Sequence, residues 1–337
     1  MQHIAIDLGG KESQICVRDP KECILEERKH LTRTLGTFLS KQPPSRVIVE
    51  TSAEAFAVAD LAKQHGHEVR VVPATLARTL GVGARGIKTD RRDAQVLSEV
   101  SCKVDLRSVH VPSERARLWR SICNARDTLV SARTQMVNTV KSQLRGRLVL
   151  TGARASGLLP TKIRALWTEL EGSVPVHVER VLVMIEALNA QVKDADKQIQ
   201  QLAKASEICR RLMTVPGVGP ITALRFEATL DEVKRFATAH DVQSYLGLTP
   251  GENSSSARVR RTHLTKAGPP QMRFLLVQAA WTAIRVASDH PMVCWARKIA
   301  ERRGKKIASV ALARKLAGIL FAIWRDETNY DRARGSM

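Results

Sequence analysis

The chain has 337 residues, with 54 Lys and Arg against 33 Asp and Glu, and a formal net charge of +21. This length allows two or more domains, and the excess of positive charge indicates a polyanionic partner. No apolar run of about 18 residues is evident and the first residues lack a signal peptide's pattern, so we expect no membrane association and a cytoplasmic location. Six cysteines without CxxC spacing argue against zinc, and 4% aromatic residues argue against base stacking as the main binding device.

The first 81 residues predict a domain of short strands and helices. The strands are expected at residues 3–9, 13–18, 23–30, 46–50 and 68–72, and the helices at 32–41, 53–65 and 74–81. The order βββαβαβα is that of the ribonuclease H fold. An α/β domain is therefore predicted at the N-terminus.

Acidic residues end two of these predicted strands. Asp7 follows the apolar run at residues 3–6, and Glu50 follows the run at 46–49. Ligands of open α/β sheets bind outside the carboxyl ends of the strands. We therefore expect Asp7 and Glu50 to lie together at one edge of the sheet.

The next helix is predicted to begin within residues 88–94, Lys-Thr-Asp-Arg-Arg-Asp-Ala. Thr89 is predicted as the N-cap, with Asp90 and Asp93 in the first turn, where the helix dipole favours negative charge. Their spacing of three puts the two acids on one face of the helix. Carboxylates that close repel each other unless a cation lies between them, so the pair suits a hard divalent ion with oxygen ligands.

Two interpretations of these acids are open. In the first, the acids of the helix start pair with Arg91 and Arg92 at a solvated terminus. In the second, acids from the strand ends and from the helix start form one metal site. We favour the second interpretation, because structure alone gives such a basic chain little reason to gather four acids, namely Asp7, Glu50, Asp90 and Asp93.

Two long helices are predicted at residues 113–148 and 176–206, from apolar residues at spacings of three and four such as Leu182 and Ile185. Residues 151–160 between them have the composition of a loop. Two such helices form either an antiparallel spacer or a dimerising coiled coil, and the pattern leaves both open.

A turn with two glycines, Gly217 and Gly219, opens the C-terminal region. A Gly-x-Gly turn exposes backbone N–H groups at the N-terminus of the next helix, which makes a ready site for a phosphate. The segment is similar to the helix-hairpin-helix element of DNA-binding proteins. A plain turn between two helices explains it equally well.

Three consecutive serines, residues 254–256, lie between predicted helices, and basic residues follow them. These are Arg258, Arg260, Arg261 and Lys266. A serine hydroxyl is a weak nucleophile, and its attack on a DNA phosphodiester requires cations that neutralise the phosphate. The alternative is a flexible serine-rich loop whose arginines only contact phosphates.

Together these motifs resemble the DEDD-type insertion-sequence transposases, which are RNA-guided serine recombinases whose N-terminal domain is similar to that of Holliday-junction resolvases. The matching segments span nearly the whole chain in the order of the family. They are Ala5-Ile6-Asp7, Val49-Glu50-Thr51, Lys88 to Ala94, Pro216 to Pro220 and Tyr245 to Lys266.

The resemblance implies that magnesium is held by the four acids and that a serine forms a covalent phosphoserine link to DNA. The family has two glycines after its serine pair, where this chain has Ser256 and Ala257. Counted from residues 247–250, Ser254 takes the position of the nucleophile, and Ser255 is the second candidate. The resemblance also implies a guide RNA that pairs with donor and target DNA.

We therefore predict a transposase that excises and inserts a mobile element as a homodimer or homotetramer acting on double-stranded DNA. The predicted parts are a ribonuclease H-like DEDD domain at 1–108, a helical coiled-coil spacer at 109–206, and a mostly helical DNA-binding domain with the serine loop at 207–337. Nucleic-acid contacts are expected from Arg91, Arg92, Gly217, Gly219, Arg258, Arg260, Arg261 and Lys266.

Three other functions compete with this one. A metal-dependent, structure-selective endonuclease would use the four acids to activate water and would form no covalent intermediate. An actin-like sugar kinase is suggested by Ile-Asp-Leu-Gly-Gly at residues 6–10, but a pI of about 10.3 and the lack of a second Gly-rich motif oppose it. A non-catalytic nucleic-acid-binding protein leaves the four-acid pattern unexplained.

Overall fold

Two units make up the molecule, Met1–Pro112 and Ser113–Met337, and each has a hydrophobic core of its own. The computed structural model describes residues 1–79, 89–150, 159–252 and 261–331. The side chains of Arg78 and Arg261 are not described. The division into three parts at residues 108 and 206 stays a prediction.

The first unit alternates strands and helices. Its elements are β1 (His3–Asp7), β2 (Glu12–Arg18), β3 (Ile24–Leu31), α1 (Leu35–Leu39), β4 (Arg46–Glu50), α2 (Ala55–Gln64), β5 (Glu68–Val72), α3 (Ala74–Thr79) and α4 (Asp90–Lys103). The predicted order is confirmed, with ends that differ by a few residues. Apolar runs of about five residues are long enough for a strand and too short for a helix, and for this reason the sequence predicted the strands.

The five strands form one mixed sheet in the order β3-β2-β1-β4-β5. The pairs β1–β2 and β2–β3 are antiparallel, whereas β1–β4 and β4–β5 are parallel. Neighbouring residues of a strand point to opposite faces. Accordingly, Ile4 and Ile6 pack in one core with α1 and α2, while Ala5 and Ile48 pack on the other face with Leu97 of α4.

Helix α4 packs on β1 and β2, mainly through small and polar side chains together with Leu97. Its buried residues are Asp93, Ala94, Leu97, Ser98 and Ser101. The Nε of Arg18 donates a hydrogen bond to Ser98 Oγ at 3.0 Å, and His3 Nδ1 lies 2.8 Å from Ser101 Oγ. Burial lowers the pKa of His3 from its ordinary value, which favours a neutral imidazole at this contact.

The second unit is mostly helical. Its elements are α5 (Glu114–Arg145), α6 (Leu159–Glu171), α7 (Val176–Ala205), α8 (Glu207–Leu212), α9 (Pro220–Leu230), α10 (Ala239–Tyr245), β6 (Pro250–Glu252), β7 (Arg261–Leu264), α11 (Pro270–Val286), α12 (Pro291–Arg303) and α13 (Lys305–Arg325). The two long predicted helices are confirmed as α5 and α7. Helix α6 was not predicted, and residues 151–158 of the predicted loop lie outside the described residues.

The long helices α5 and α7 run antiparallel to each other. Arg126 Nε of α5 donates to Asp196 Oδ1 of α7 at 2.8 Å, and Arg133 Nη1 donates to Asn189 Oδ1 at 3.2 Å. From the first contact to the second, the residue number rises in α5 and falls in α7. The two helices therefore run in opposite directions. The sequence left open an antiparallel spacer or a dimerising coiled coil. An antiparallel pair of helices is present within the unit.

Within the described residues, one helix has the length and composition of a membrane span. A window of α13 has a mean hydropathy of 1.7, and 56% of that window is buried inside the protein. Leu312, Leu316 and Leu320 of α13 lie in the core of the second unit. The core helix of a soluble protein passes the same test, so α13 is weak evidence for a membrane segment.

Candidate functional site

Two of the predicted acids lie at the ends of neighbouring strands. Ile6 of β1 is paired with Val49 of β4 in the parallel register, so Asp7 and Glu50 follow at the same edge. Both side chains are half-buried. The expected adjacency of the two strand ends is confirmed.

The other two acids lie in the first turn of α4. Thr89 caps the helix, since its Oγ1 accepts a hydrogen bond from the Arg92 N–H at 3.4 Å, and this prediction is confirmed. Asp93 is only 3% exposed, on the face of α4 that packs against the sheet, whereas Asp90 is exposed. The two acids therefore meet different surroundings although they are three residues apart.

Carboxylate oxygens are the donors that a hard divalent ion prefers, so the chemistry of these four acids fits magnesium. Their arrangement does not form a complete protein cage. Across residues 1–79, 89–150, 159–252 and 261–331, no three His, Cys, Asp or Glu residues come close enough together to hold a metal ion.

Arg91, predicted to contact nucleic acid, is engaged with a carboxylate of β3. Its Nε donates to Glu27 Oε2 at 2.8 Å, and Gln95 Nε2 donates to Glu27 Oε1 at 2.6 Å. The hydrogen bond from Arg91 holds the pKa of Glu27 below its usual value. Arg92 is exposed on the same turn of α4. The charge of Arg91 is thus partly neutralised inside the protein, before any phosphate is bound.

The turn between α8 and α9 has a packing role at one glycine. Gly217 has φ of +87°, and a Cβ there would lie 2.3 Å from the carbonyl oxygen of Ala279 and 2.8 Å from the amide nitrogen of Ala283, both in α11. Gly219 is the N-cap of α9, and a Cβ there would have no atom within 4 Å. Gly217 thus has a packing role, and phosphate contacts at Gly217 and Gly219 both stay predictions.

The serine segment, residues 253–260, lies in the sequence between strands β6 and β7. Pro250 pairs with Leu264 and Glu252 with Arg261 in the antiparallel β6–β7 ladder. Glu252 and Arg261, which flank residues 253–260 in the sequence, therefore lie opposite each other in paired strands. The candidates within that segment, Ser254, Ser255, Arg258 and Arg260, lie outside the described residues, as does the side chain of Arg261.

The base of the β6–β7 hairpin is bound to the neighbouring helices. The Thr265 N–H donates to the Thr249 carbonyl at 3.0 Å, and Arg273 Nη1 of α11 donates to the Gly268 carbonyl at 2.6 Å. Gly268 approaches the end of α10 so closely that a Cβ would lie 2.2 Å from the Tyr245 carbonyl oxygen. Lys266, a predicted nucleic-acid contact, is exposed at this base.

A basic cleft beside the hairpin was missed by sequence reasoning. It has a volume of about 1070 Å³ and lies between strand β7 and helices α12 and α13. Four cations line it, namely Arg303, Lys306, Arg314 and Lys315. The available signal was the basic run at residues 302–306, which is interrupted only by Gly304.

Two family models match the chain. A transposase model of the DEDD, IS110 type matches residues 4–148, which include both acidic strand ends and the start of α4. A second model, described as the transposase IS116/IS110/IS902 family, matches residues 209–292, which include the glycine turn and the β6–β7 hairpin.

Several relatives match over most of the chain. A probable family 20 transposase of Pseudomonas aeruginosa is 26% identical over 336 residues, 98% of each chain. The transposase for insertion sequence element IS1328 of Yersinia enterocolitica is 25% identical over 335 residues, again 98% of each chain. The transposase for element IS1111A of Coxiella burnetii is 30% identical over 250 residues, 72% of this chain and 68% of that protein. With matching motifs in both units, the chain belongs to the DEDD-type, IS110 family of insertion-sequence transposases.

Proposed function

We propose that this transposase cuts and rejoins DNA through a covalent phosphoserine formed at Ser254, with Ser255 as the second candidate. In the proposed step, the serine Oγ bonds to the phosphorus, the bond from phosphorus to a sugar oxygen breaks, and that sugar oxygen receives the hydroxyl proton. The energy of the phosphodiester is kept in the new bond. The reverse step can therefore rejoin a strand without ATP.

The observation that carries this proposal is the β6–β7 hairpin. Its paired strands bring the two ends of the serine segment together at Glu252 and Arg261, and its base is bound to α10 and α11. A nucleophile must be held near the phosphate that it attacks, and a segment closed by a fixed base loses less entropy in doing so than a free loop. The family resemblance supplies the assignment of the serine itself.

We further propose that the acids of the first unit hold magnesium, namely Asp7, Glu50, Asp90 and Asp93. Magnesium usually binds one or two carboxylates and completes its ligands with water and substrate phosphates. The sheet edge where Asp7 and Glu50 are neighbours could supply these carboxylates. Phosphate oxygens of the DNA would supply further ligands. When bound, the ion would add positive charge that neutralises the phosphate under attack.

The fold of the first unit supports a ribonuclease H-like assignment. The sheet order β3-β2-β1-β4-β5, with three antiparallel strands followed by parallel additions, agrees with the βββαβαβα order of that fold. The two acids lie at the ends of the first and fourth strands, where that fold carries acids. The proposed domain is residues 1–108.

We propose a homodimer or homotetramer assembled through the spacer at residues 109–206, as a coiled coil. Apolar side chains exposed on the long helices support this, since water would otherwise surround Leu118 on α5 and Val183 and Met184 on α7. The guide RNA is proposed from the family resemblance. The excess positive charge of the chain is compatible with DNA and RNA being bound together.

A trapping experiment tests the serine mechanism. The protein is incubated with DNA that carries the element ends and Mg²⁺, then denatured, and any DNA-linked peptide is mapped by mass spectrometry. We expect a covalent adduct on Ser254 that is lost in Ser254→Ala. Ser256→Ala is the matched control in the same segment and should retain the adduct.

The same experiment separates this function from its main rival. An adduct on Ser255 would change the assigned residue and keep the mechanism. A structure-selective endonuclease that uses water would leave no protein on the DNA. Strand cleavage that survives in the variant with alanine at positions 254, 255 and 256 would refute the serine mechanism in favour of the nuclease.

A further inference from the structure

The basic cleft between β7, α12 and α13 contains an aromatic side chain among its cations. Trp295 of α12 is 38% exposed and lines the cleft. Lys315 also lines the cleft, and its Nζ lies 4.9 Å from the centroid of the Trp295 ring, which is a cation–π distance. A cleft that combines an exposed indole with ammonium groups offers both stacking and phosphate neutralisation.

The lining of the cleft has one sign of charge. Arg303, Lys306, Arg314 and Lys315 line it, and the described lining includes no carboxylate. Arg314 is held in place, because its Nε donates to Gln243 Oε1 at 2.8 Å while Gln243 Nε2 donates to the Arg314 carbonyl at 3.2 Å. Positive charge focused in a concave site attracts a polyanion more strongly than the same charge on a flat surface.

The cleft also offers apolar contacts and adequate space. Leu264 of the hairpin and Ile307 and Val310 of α13 also line it. Its volume of about 1070 Å³ is slightly above the roughly 300–1,000 Å³ of small-molecule sites, so it can hold a chain segment. A base inside a duplex is covered on both faces by its neighbours, so an unpaired nucleotide stacks on an indole at a lower cost.

We propose that this cleft binds an unpaired segment of the DNA strand on which the transposase acts, with a base stacked on Trp295 and its phosphates on Arg303 and Lys306. This rests on the proposed function, because the occupant is inferred from the hairpin. Strand β7, which forms one wall of the cleft, is the strand that follows the serine segment. A cut strand must leave its duplex before it is joined elsewhere. The cleft is where that strand would be held.

The test measures binding alone, in a chain with alanine at positions 254, 255 and 256, so that no serine of the segment can attack a strand. Labelled oligothymidylate, oligouridylate of equal length and a blunt DNA duplex are titrated by fluorescence anisotropy. Trp295→Leu should weaken binding of the DNA single strand at least about fivefold, because stacking is worth about 1–3 kcal/mol per base. Binding of the duplex should change less than about twofold.

Matched controls separate this site from general effects. Trp281→Leu removes an indole of nearly equal exposure, 37%, on α11 and should change single-strand binding less than about twofold. Arg303→Gln with Lys306→Gln should reduce the slope of log affinity against log salt by about 1.4, which corresponds to two phosphates of a single strand. Arg297→Gln with Lys298→Gln, on α12 but outside the cleft lining, should reduce it by less than half as much.

Three results would overturn the proposal. Trp295→Leu could behave like Trp281→Leu, the duplex could be weakened as much as the single strand, or the Trp295-dependent partner could be RNA rather than DNA. Because the background variant has no candidate nucleophile, these outcomes do not depend on the covalent step. Failure to trap a serine adduct in the unaltered chain would refute the serine mechanism and leave the cleft result as measured.

Discussion

The two units divide the charge of the protein very unequally. Residues 1–112 carry 17 Lys and Arg against 14 Asp and Glu, whereas residues 113–337 carry 37 against 19. The nearly neutral unit holds the candidate acids at the end of a sheet, and the basic unit holds the hairpin and the cleft. Carboxylates repel a nearby phosphate. A protein that brings acids close to DNA therefore needs positive charge in another part of the chain to bind it. Affinity for nucleic acid and the chemistry of the acids should therefore respond to different substitutions.

The largest expected effect falls on the acids of the first unit. Asp7→Asn or Glu50→Gln should reduce recombination at least about 100-fold, because each removes a charge from the proposed metal-binding edge. Affinity for DNA should change less than about threefold, since most of the positive charge lies in the second unit. Recombination of a reporter plasmid and DNA binding are measured on the same preparations.

Glu99→Gln is the control, because it removes a carboxylate of α4 that pairs with Lys103 rather than one at the sheet edge. Its recombination should remain near that of the unaltered chain. Full recombination by Asp7→Asn would contradict a role for the acidic sheet edge in the reaction. The two units would then not differ in the way proposed.

A second contrast concerns the glycine turn of the basic unit. Gly217→Ala should lower the free energy of unfolding by about 2–3 kcal/mol, because it combines a left-handed φ with a clash against the backbone of α11. Gly219→Ala, where a Cβ meets open space, should cost about 0.5 kcal/mol or less. Denaturant unfolding measures both variants.

DNA affinity of folded Gly219→Ala then tests its predicted phosphate contact. A loss of affinity without a loss of stability would support that contact. Equal stability of the two alanine variants would show that the turn does not depend on the close approach of Gly217 to Ala279.

A third prediction compares single cations of the two units. Lys266→Gln should weaken duplex DNA binding by about fivefold and lower the salt slope by about 0.9, as expected for one phosphate contact. Arg91→Gln should weaken duplex DNA binding by less than about twofold, because the Arg91 guanidinium already donates a hydrogen bond to Glu27. Titrations at several salt concentrations measure both, and a larger loss in Arg91→Gln would place the main phosphate contact in the first unit.

The smallest expected effect is on stability at the Arg91–Glu27 contact. The hydrogen bond from Arg91 lowers the pKa of Glu27, so it stabilises the fold above the ordinary Glu pKa and this contribution is lost as the pH falls through the lowered value. Glu27→Gln should lower Tm at neutral pH by no more than about 2 °C, because Arg91 is largely exposed and solvent screens the pair.

The difference in Tm between Glu27→Gln and the unaltered chain should shrink as the pH falls below the ordinary Glu pKa and through the lowered one. Thermal melts at neutral and acidic pH give this comparison. A difference that grew on acidification would mean that the charge of Glu27 destabilises the fold.

The sequence by itself determined the elements of the first unit and the edge at which two acids meet. Short apolar runs ended by an acid predicted β1 and β4, and their parallel pairing puts Asp7 beside the end of β4, as expected. Thr89 was predictable as a cap because its bond to the Arg92 N–H spans only three residues. Such features depend on local spacing, which a sequence shows directly.

Only the tertiary structure decided which groups from distant segments meet. Arg91 contacts Glu27, which lies 64 residues away, and Gly217 packs against Ala279 of α11. The basic cleft needs β7, α12 and α13 together, although each contributes an ordinary polar or basic surface. The physical reason is that helix periodicity fixes which side chains share a face, while the partner of that face is selected by packing of the whole core.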